Sequence, residues 1–328
     1  MGYSISMENL DSLASAGTKL GSHLRWGSIF VLPIWLEVWW RIFGASADLL
    51  LRMVKQEDTV IGIAPLKVEG ERASFIGDSD VCDYLDFVIM PGKEQDFFNV
   101  LLDHLKDEGI SHLDLEPLTP DSTVIRSLVD IANDRGYEVS CNPVDVSLEL
   151  SLPNTWDKYL ESLSVKQRHE VRRKLRRLEE AGDIDYRVLQ DSEVTLKDVD
   201  IFVRLFRESR GDKANFMTPQ MASFFKLLVT ATAQAKILRL GFLKLDTVPV
   251  AALIYFDYND TIYLYNSGYD PQYSYLSVGL ISKVLCIKDS IERGKEKFDF
   301  LKGAEVYKYR LGGQEIPLYR CEIVFTNS

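Results

Sequence analysis

The sequence predicts an α/β (α+β layered) protein made of two copies of one unit, each a mixed central sheet flanked by helices. Three observations carry this. The chain has 328 residues, more than one small domain needs, and 46% are hydrophobic, enough for two cores. Period-two segments alternate with 3.6-period segments along the whole length, the pattern of packed strand and helix layers. Each half also holds two adjacent strands joined by a short polar turn (49–68 and 236–258), followed by strand, helix and strand.

Taken in order, the first 48 residues read as helical. Ser4 to Leu24 is loosely patterned, and Ile34 to Trp40 strongly so, with Trp35, Trp39 and Ile42 on one core-facing side. Strands 49–55 and 60–68 follow, joined by the charged turn 56–58, and 73–77 is a third. Residues 78–86 form an acidic loop leading to strand 87–90. Residues 94–108 are a helix with a stripe of Phe97, Phe98, Leu101, Leu102 and Leu105. A strand at 112–115, a helix at 122–135 stopped by Gly136, and strands at 137–141 and 145–150 complete the half. Pro153-Asn154 breaks the chain, which sets the division at 1–152 and 153–328.

The second half opens with helices at 156–163 and 166–181. Between Lys166 and Arg177 seven residues are basic and one, Glu170, is acidic, beside a buried stripe of Val171, Leu175 and Leu178. Arg168 lies next to that stripe, with Arg172 further round the same flank, and a half-buried guanidinium calls for an anionic partner. A strand at 184–189, helices at 195–209 and 218–233, and strands at 236–245 and 248–258 lead to the central stretch, 261–303. Thr261 to Tyr265 is a strand, and 266–271 is a loop dense in turn formers. Ser277 stands at an N-cap position ahead of Leu280, Val284, Ile287 and Ile291, and Gly294 ends that helix before the strand 297–301. A strand feeding a capped, glycine-bearing helix start (Gly279) is an anion site, because free amides and the helix dipole both favour negative charge. Strands within 317–325 close the chain.

Several classes of protein are excluded. A net charge of −11 argues against wholesale coating of nucleic acid. Cys82, Cys141, Cys286 and Cys321 are far apart with no C-x-x-C pair, and the four histidines are scattered, so neither a metal site nor a disulfide framework is expected and a cytoplasmic setting is. The start lacks the pattern of a signal peptide. The most apolar stretch, 26–43, is interrupted by Pro33, Glu37 and Arg41, too polar for a membrane span.

Several phrases together resemble one family: Ile61-Gly-Ile-Ala-Pro-Leu66 and Asp83-Tyr-Leu-Asp86, then Trp156 to Ser164 and Lys166-Gln-Arg168. They continue in the second half as Tyr265-Asn-Ser-Gly-Tyr-Asp270, Leu276-Ser-Val-Gly279, Phe298-Asp-Phe-Leu-Lys-Gly303 and Tyr307-Lys308. The chain resembles the BioF2-like or CelD/BcsL-type branch of the GNAT acyltransferase superfamily, related to the FemABX aminoacyltransferases, over about residues 7 to 315. The resemblance implies two tandem GNAT-like domains, an acceptor side in the first and an acyl-donor site in the second. It assigns the donor's pantetheine to the strand edge Ile262, Tyr263, Leu264 and Tyr265, and its pyrophosphate to Leu276, Ser277, Val278, Gly279 and Leu280. Acyl-CoA, acetyl-CoA first, is the implied donor; a longer acyl-CoA and aminoacyl-tRNA stay open. Val278 stands where the family commonly has proline, and Leu311 where it commonly has tryptophan.

Direct acyl transfer needs a proton acceptor, an oxyanion partner and a departing thiolate. No Ser-His-Asp or Cys-His arrangement is readable, so a covalent acyl-enzyme is not expected. The candidate catalytic residues are Asp270 as base or loop cap, and Lys308 with Tyr307. Asp83, Asp86, Arg168 and Arg172 are the candidate acceptor contacts. The expected function is an N- or O-acyltransferase acting on a cell-envelope or polysaccharide-related acceptor. The alternatives are a tRNA-dependent FemABX-like transferase and a GNAT pair that only binds.

Overall fold

The computed structural model describes residues 2–13, 23–209 and 211–326. It has two compact units, one formed by Met1–Asp145 with Ile316–Ser328, the other by Val146–Glu315.

In the first unit the alternation Tyr-Ser-Ile-Ser-Met makes a strand, β1 (Tyr3–Met7), which pairs antiparallel with β2 (Asp48–Gln56) from Tyr3↔Gln56 to Met7↔Arg52. This corrects the helical reading of Ser4 to Leu24: residues 10–13 are helical, but the period-two run ahead of them follows its strand partner. Residues 14–22 of that stretch lie outside the described residues. Helix α1 (Pro33–Phe43) starts on a proline, where the missing N–H costs nothing, and buries Trp35, Leu36, Val38 and Trp39. β3 (Thr59–Glu69) and β4 (Arg72–Phe75) continue the antiparallel sheet, with β5 (Val88–Ile89) on β3. Helix α2 (Glu94–Asp107) buries Phe97, Phe98, Leu101, Leu102 and Leu105 and crosses to β6 (His112–Leu118), which pairs parallel with β4. A π turn at Val124–Leu128 and α2's successor α3 (Val129–Asp134) precede β7 (Glu138–Ser151), one strand where two were expected.

The second unit contains α4 (Trp156–Ser162), α5 (Val165–Glu179), β8 (Ile184–Gln190), α6 (Leu196–Ser209), α7 (Gly211–Phe216) and α8 (Pro219–Gln234). Then follow β9 (Leu238–Leu245), β10 (Val248–Tyr258), β11 (Thr261–Tyr269), α9 (Val278–Glu292), β12 (Lys297–Lys302) and α10 (Val306–Arg310), before β13 (Gln314–Val324) returns to the first unit. Two tight turns fix the register. Asp246 and Thr247 have φ of 47° and 74°, and Asn259 and Asp260 have φ of 48° and 54°. Left-handed geometry at both central residues matches the twist of a hairpin. The expected loop 266–271 is mostly strand, because Asn266 to Tyr269 bond to β10 from Ile254 to Ala251. Gly268 permits this: a Cβ there would lie 2.3 Å from the backbone nitrogen of Phe206 on α6.

The two units share a topology. Strand order is β1-β2-β3-β4-β6-β13 in the first and β8-β9-β10-β11-β12-β7 in the second. In each, a parallel pair (β4–β6, β11–β12) spans a crossover helix, and the last strand is antiparallel to its neighbour. The sixth strands are exchanged along the chain: β7 residues 147–151 serve the second sheet, and β13 residues from 319 onward serve the first. A linear division at 152/153 therefore departs from the compact units, since the C-terminal strand returns to the first. The same return places Cys321 against Cys141, and the two form a disulfide across a separation of 180 residues. That corrects the expectation of no disulfide, which rested on distance along the sequence. Among the described residues no helix is long and apolar enough to cross a membrane.

Candidate active site

β11 and β12 pair over only three positions, Thr261↔Lys297, Ile262↔Phe298 and Tyr263↔Asp299. Each strand then carries a bulge. In β11 the register against β10 jumps between Tyr263 and Asn266, leaving one extra residue at Leu264-Tyr265. In β12 it jumps between Asp299 and Lys302, with Leu301 at φ 62° and its amide donating to the Asp299 carboxylate at 2.7 Å. Past these bulges β11 runs on to Tyr269 with no pairing to β12. A gap opens whose β11 edge begins at Leu264. Of the four positions expected on that edge, Leu264 and Tyr265 lie on it, whereas Ile262 and Tyr263 sit in the paired section.

Asp270 follows β11 and caps the short 3₁₀ helix Pro271–Leu276, accepting from the Gln272 amide at 2.9 Å. Ser277 then takes the left-handed conformation (φ 59°, ψ 32°) and heads α9. It stands at the N-cap position as expected, yet its hydroxyl makes no cap bond. It accepts instead from Lys174 Nζ of α5 at 2.9 Å, while its carbonyl takes the Leu280 and Ile281 amides. The amides of Val278 and Gly279 open the helix with no intrahelical acceptor. Leu276 and Val278 are buried, and Gly279 is obligatory in another sense: a Cβ there would sit 2.7 Å from the Tyr269 ring. Lys174 thus brings the basic run to the helix start, where the sequence reading had placed only backbone.

Two buried lysines line the far side. Lys308 on α10 is 2% exposed, and its Nζ donates to the carbonyls of Leu301, Lys302 and Gly303 at 2.8, 2.6 and 3.0 Å and pairs with Glu305 at 2.9 Å. It ties down the β12 bulge. Lys283 on α9 is 6% exposed, donates to the Gly279 carbonyl at 2.7 Å and lies 4.9 Å from the centre of the Tyr307 ring. Burial, with Lys213 and Lys308 nearby, pushes its ammonium down to about 7, against the opposite pull of Glu305 and Cys286. Tyr307 packs on the second unit's core, and burial drives its phenol well above the ordinary range. Burial likewise pushes the Cys286 thiol up to about 12, which makes it a poor nucleophile.

The expected acceptor contacts fall elsewhere. Asp86, in the first unit, accepts from the Thr123 amide (2.8 Å) and hydroxyl (2.6 Å) and from the Phe87 amide (2.9 Å); desolvation raises it to about 6. It caps a turn, as does Asp270. Asp83, in the same unit, is half-buried. Arg168 donates through one terminal nitrogen to the Glu161 and Leu163 carbonyls at 3.1 and 3.4 Å, closing the end of α4, while its buried Nε has no partner among the described residues, and Arg172 is exposed on α5. Lys174 and Lys283 were missed. Lys283 had a signal: three residues after Leu280 and four before Ile287, it is a cation set within the apolar stripe. Among the described residues no His, Cys, Asp or Glu group could hold a metal.

Two strands that part after a bulge, with a helix start and a lysine at the opening, are the arrangement that the resemblance to GNAT transferases leads one to expect. Residues 165–309 match the family described as acetyltransferase (GNAT) domain. No curated protein matches the sequence. Solved structures of the same fold include FemX, with a TM-score of 0.66 at 12% identity, covering 97% of this chain and 96% of that one. The tandem GNAT protein of the clavulanic acid biosynthesis pathway gives 0.51 at 11% identity, covering 100% of both. L-PGS from Bacillus licheniformis gives 0.55 at 12% identity, covering 89% of this chain and 91% of that one. Residues 165–309 are thus similar to a GNAT acetyltransferase domain, and the chain as a whole shares the fold of these two-domain structures.

Proposed function

We propose that the second unit binds an acyl-CoA and transfers its acyl group directly to an acceptor amine or hydroxyl. The observation that carries this is the parting of β11 and β12 beneath the start of α9, with Lys174 at Ser277. The donor's pyrophosphate takes the Val278 and Gly279 amides and Lys174, and its pantetheine follows the β11 edge at Leu264 and Tyr265. The acyl group then reaches the gap, which Tyr307 flanks and Lys308 holds open through the β12 bulge. Cys286 is a buried, protonated thiol, so direct attack by the acceptor fits better than a covalent acyl-cysteine. Acetyl-CoA is the first donor to test, and a cell-envelope or polysaccharide precursor in the cytoplasm the first acceptor class.

Titration calorimetry with CoA tests the donor site. Lys174→Ala removes one charge-assisted contact, about 1.5 kcal/mol, so its Kd should rise roughly tenfold. Wild-type affinity in that variant, or no CoA binding by the wild type, would sink the assignment. A second reading rests on α5, whose Arg172, Arg173, Arg176 and Arg177 are exposed. If the donor is an aminoacyl-tRNA, the protein should retain tRNA in a steeply salt-dependent manner and ignore CoA.

A further inference from the structure

Lys283 is the buried charge in the second unit that the donor site leaves unexplained. Its Nζ makes one hydrogen bond, to the Gly279 carbonyl, and faces the Tyr307 ring. Among the described residues it has no ion-pair partner; the nearby carboxylate, Glu305, is engaged by Lys308 at 2.9 Å. An ammonium has three donors, so two remain for another group. The surroundings are cationic. Lys308 binds the carbonyls at the end of β12, and Lys213 of α7 donates to the Ser267 carbonyl of β11. Both strands carry these carbonyls beyond their last pair, at Tyr263 and Asp299. Three lysines therefore gather where the strands part. A buried cation without a counter-ion is costly, and the site relieves that cost either by losing the proton or by taking up an anion.

We propose that the gap between β11 and β12 binds a small oxyanion of the acyl acceptor, a carboxylate or a phosphate, held by the free donors of Lys283. The proposal rests on the acyltransferase reading above for the word acceptor, and it makes the acceptor an acidic molecule. Burial and the neighbouring lysines disfavour the Lys283 ammonium. An anion in the gap favours it. Lys213, Lys308, Tyr307, Glu305 and Cys286 are the titratable groups that face it.

The experiment uses the full chain at constant ionic strength. Sodium phosphate and sodium acetate are each exchanged for sodium chloride while the thermal midpoint is recorded, and CoA is titrated in parallel. One oxyanion should raise the midpoint more at pH 6.5 than at pH 9, and Lys283→Met should lose that response while still binding CoA. Phosphate answering alone marks a phosphorylated acceptor, acetate alone a carboxylic acid. In the wild type, the lysine ¹³Cε signal of Lys283 should titrate about one pH unit or more higher with the oxyanion present; this readout needs no variant to fold. An equal response in Lys283→Met means an adventitious ion only and overturns the proposal, as does a response no larger than chloride's. CoA binding without an oxyanion effect sinks this proposal alone. An oxyanion effect without CoA binding sinks the donor assignment and leaves the oxyanion site standing.

Discussion

Lys308→Met distinguishes a structural lysine from a chemical one. The ammonium it removes donates to three successive carbonyls, at Leu301, Lys302 and Gly303, and pairs with Glu305. Two of those residues hold left-handed backbone, Leu301 at φ 62° and Gly303 at φ 104°, so the lysine secures a bulge the chain would otherwise leave. Bonds from a charged donor contribute about 1.5–3 kcal/mol each. Against their sum stands the desolvation of a buried cation, several kcal/mol, which the substitution returns. The net cost should fall near 3–5 kcal/mol, roughly the range for removing one partner of a buried pair. In urea that is a fall in midpoint of about 1–2 M for the second unit. Hydrogen exchange across residues 297–313 should quicken in the same variant, because the carbonyls lose their shared donor. A midpoint within about 0.3 M of wild type, with unchanged exchange, would refute the reasoning. Lys308 would then be available to the reaction, as the sequence alone suggested.

Gly268→Ala forces a methyl against the Phe206 backbone at 2.3 Å; it should destabilise the second unit by about 2 kcal/mol or more, and a urea midpoint equal to wild type would show that α6 can yield. Asp86→Asn tests a raised carboxyl. The folded value of about 6 lies above the 3.8 of a free aspartate, so the native state favours the protonated form. Its stabilisation is fully present below the lower value and is lost as pH rises through the upper one. Wild-type stability should therefore fall relative to the variant between pH 4 and 6 and run parallel above about 7; curves parallel throughout would remove the burial effect.

What was legible in the sequence was local. The stripe of α2, the hairpins of 49–68 and 236–258, and the Asp246-Thr247 turn depend on residues within a few positions of one another, and the structure has them. The start of α9 was half legible. Ser277 reads as an N-cap, but a left-handed conformation turns its hydroxyl to Lys174, 103 residues away. Asp86 and Arg168 read as candidate acceptor contacts and Asp270 as a base or loop cap; in the structure Asp86 accepts from Thr123 and the Phe87 amide, Asp270 from the Gln272 amide, and Arg168 donates to two carbonyls, local partners that sequence composition cannot tell from a ligand. Lys283 was visible as a cation within an apolar stripe, and its significance came only with its neighbours.

The strand exchange shows why the division of the chain was the hardest feature to read. Both halves repeat one order of elements, and an ordinary tandem repeat would end each half on its own sixth strand. Here β7 leaves the first half to pair with β12, from Ser151↔Lys297 to Ser147↔Lys302, and β13 leaves the second to pair with β6. The residues just before the Pro153 break therefore belong to the sheet that follows it. That pairing bears directly on the site. β12 carries its bulge against β7 just past its last pair with β11, and there it presents the carbonyls that Lys308 binds. The opening in which transfer is proposed thus depends on a strand supplied by the first half of the chain, while the family match begins only at residue 165. The phrases of the second half describe the walls of the site; the strand that pairs with one of those walls is written before the family match begins.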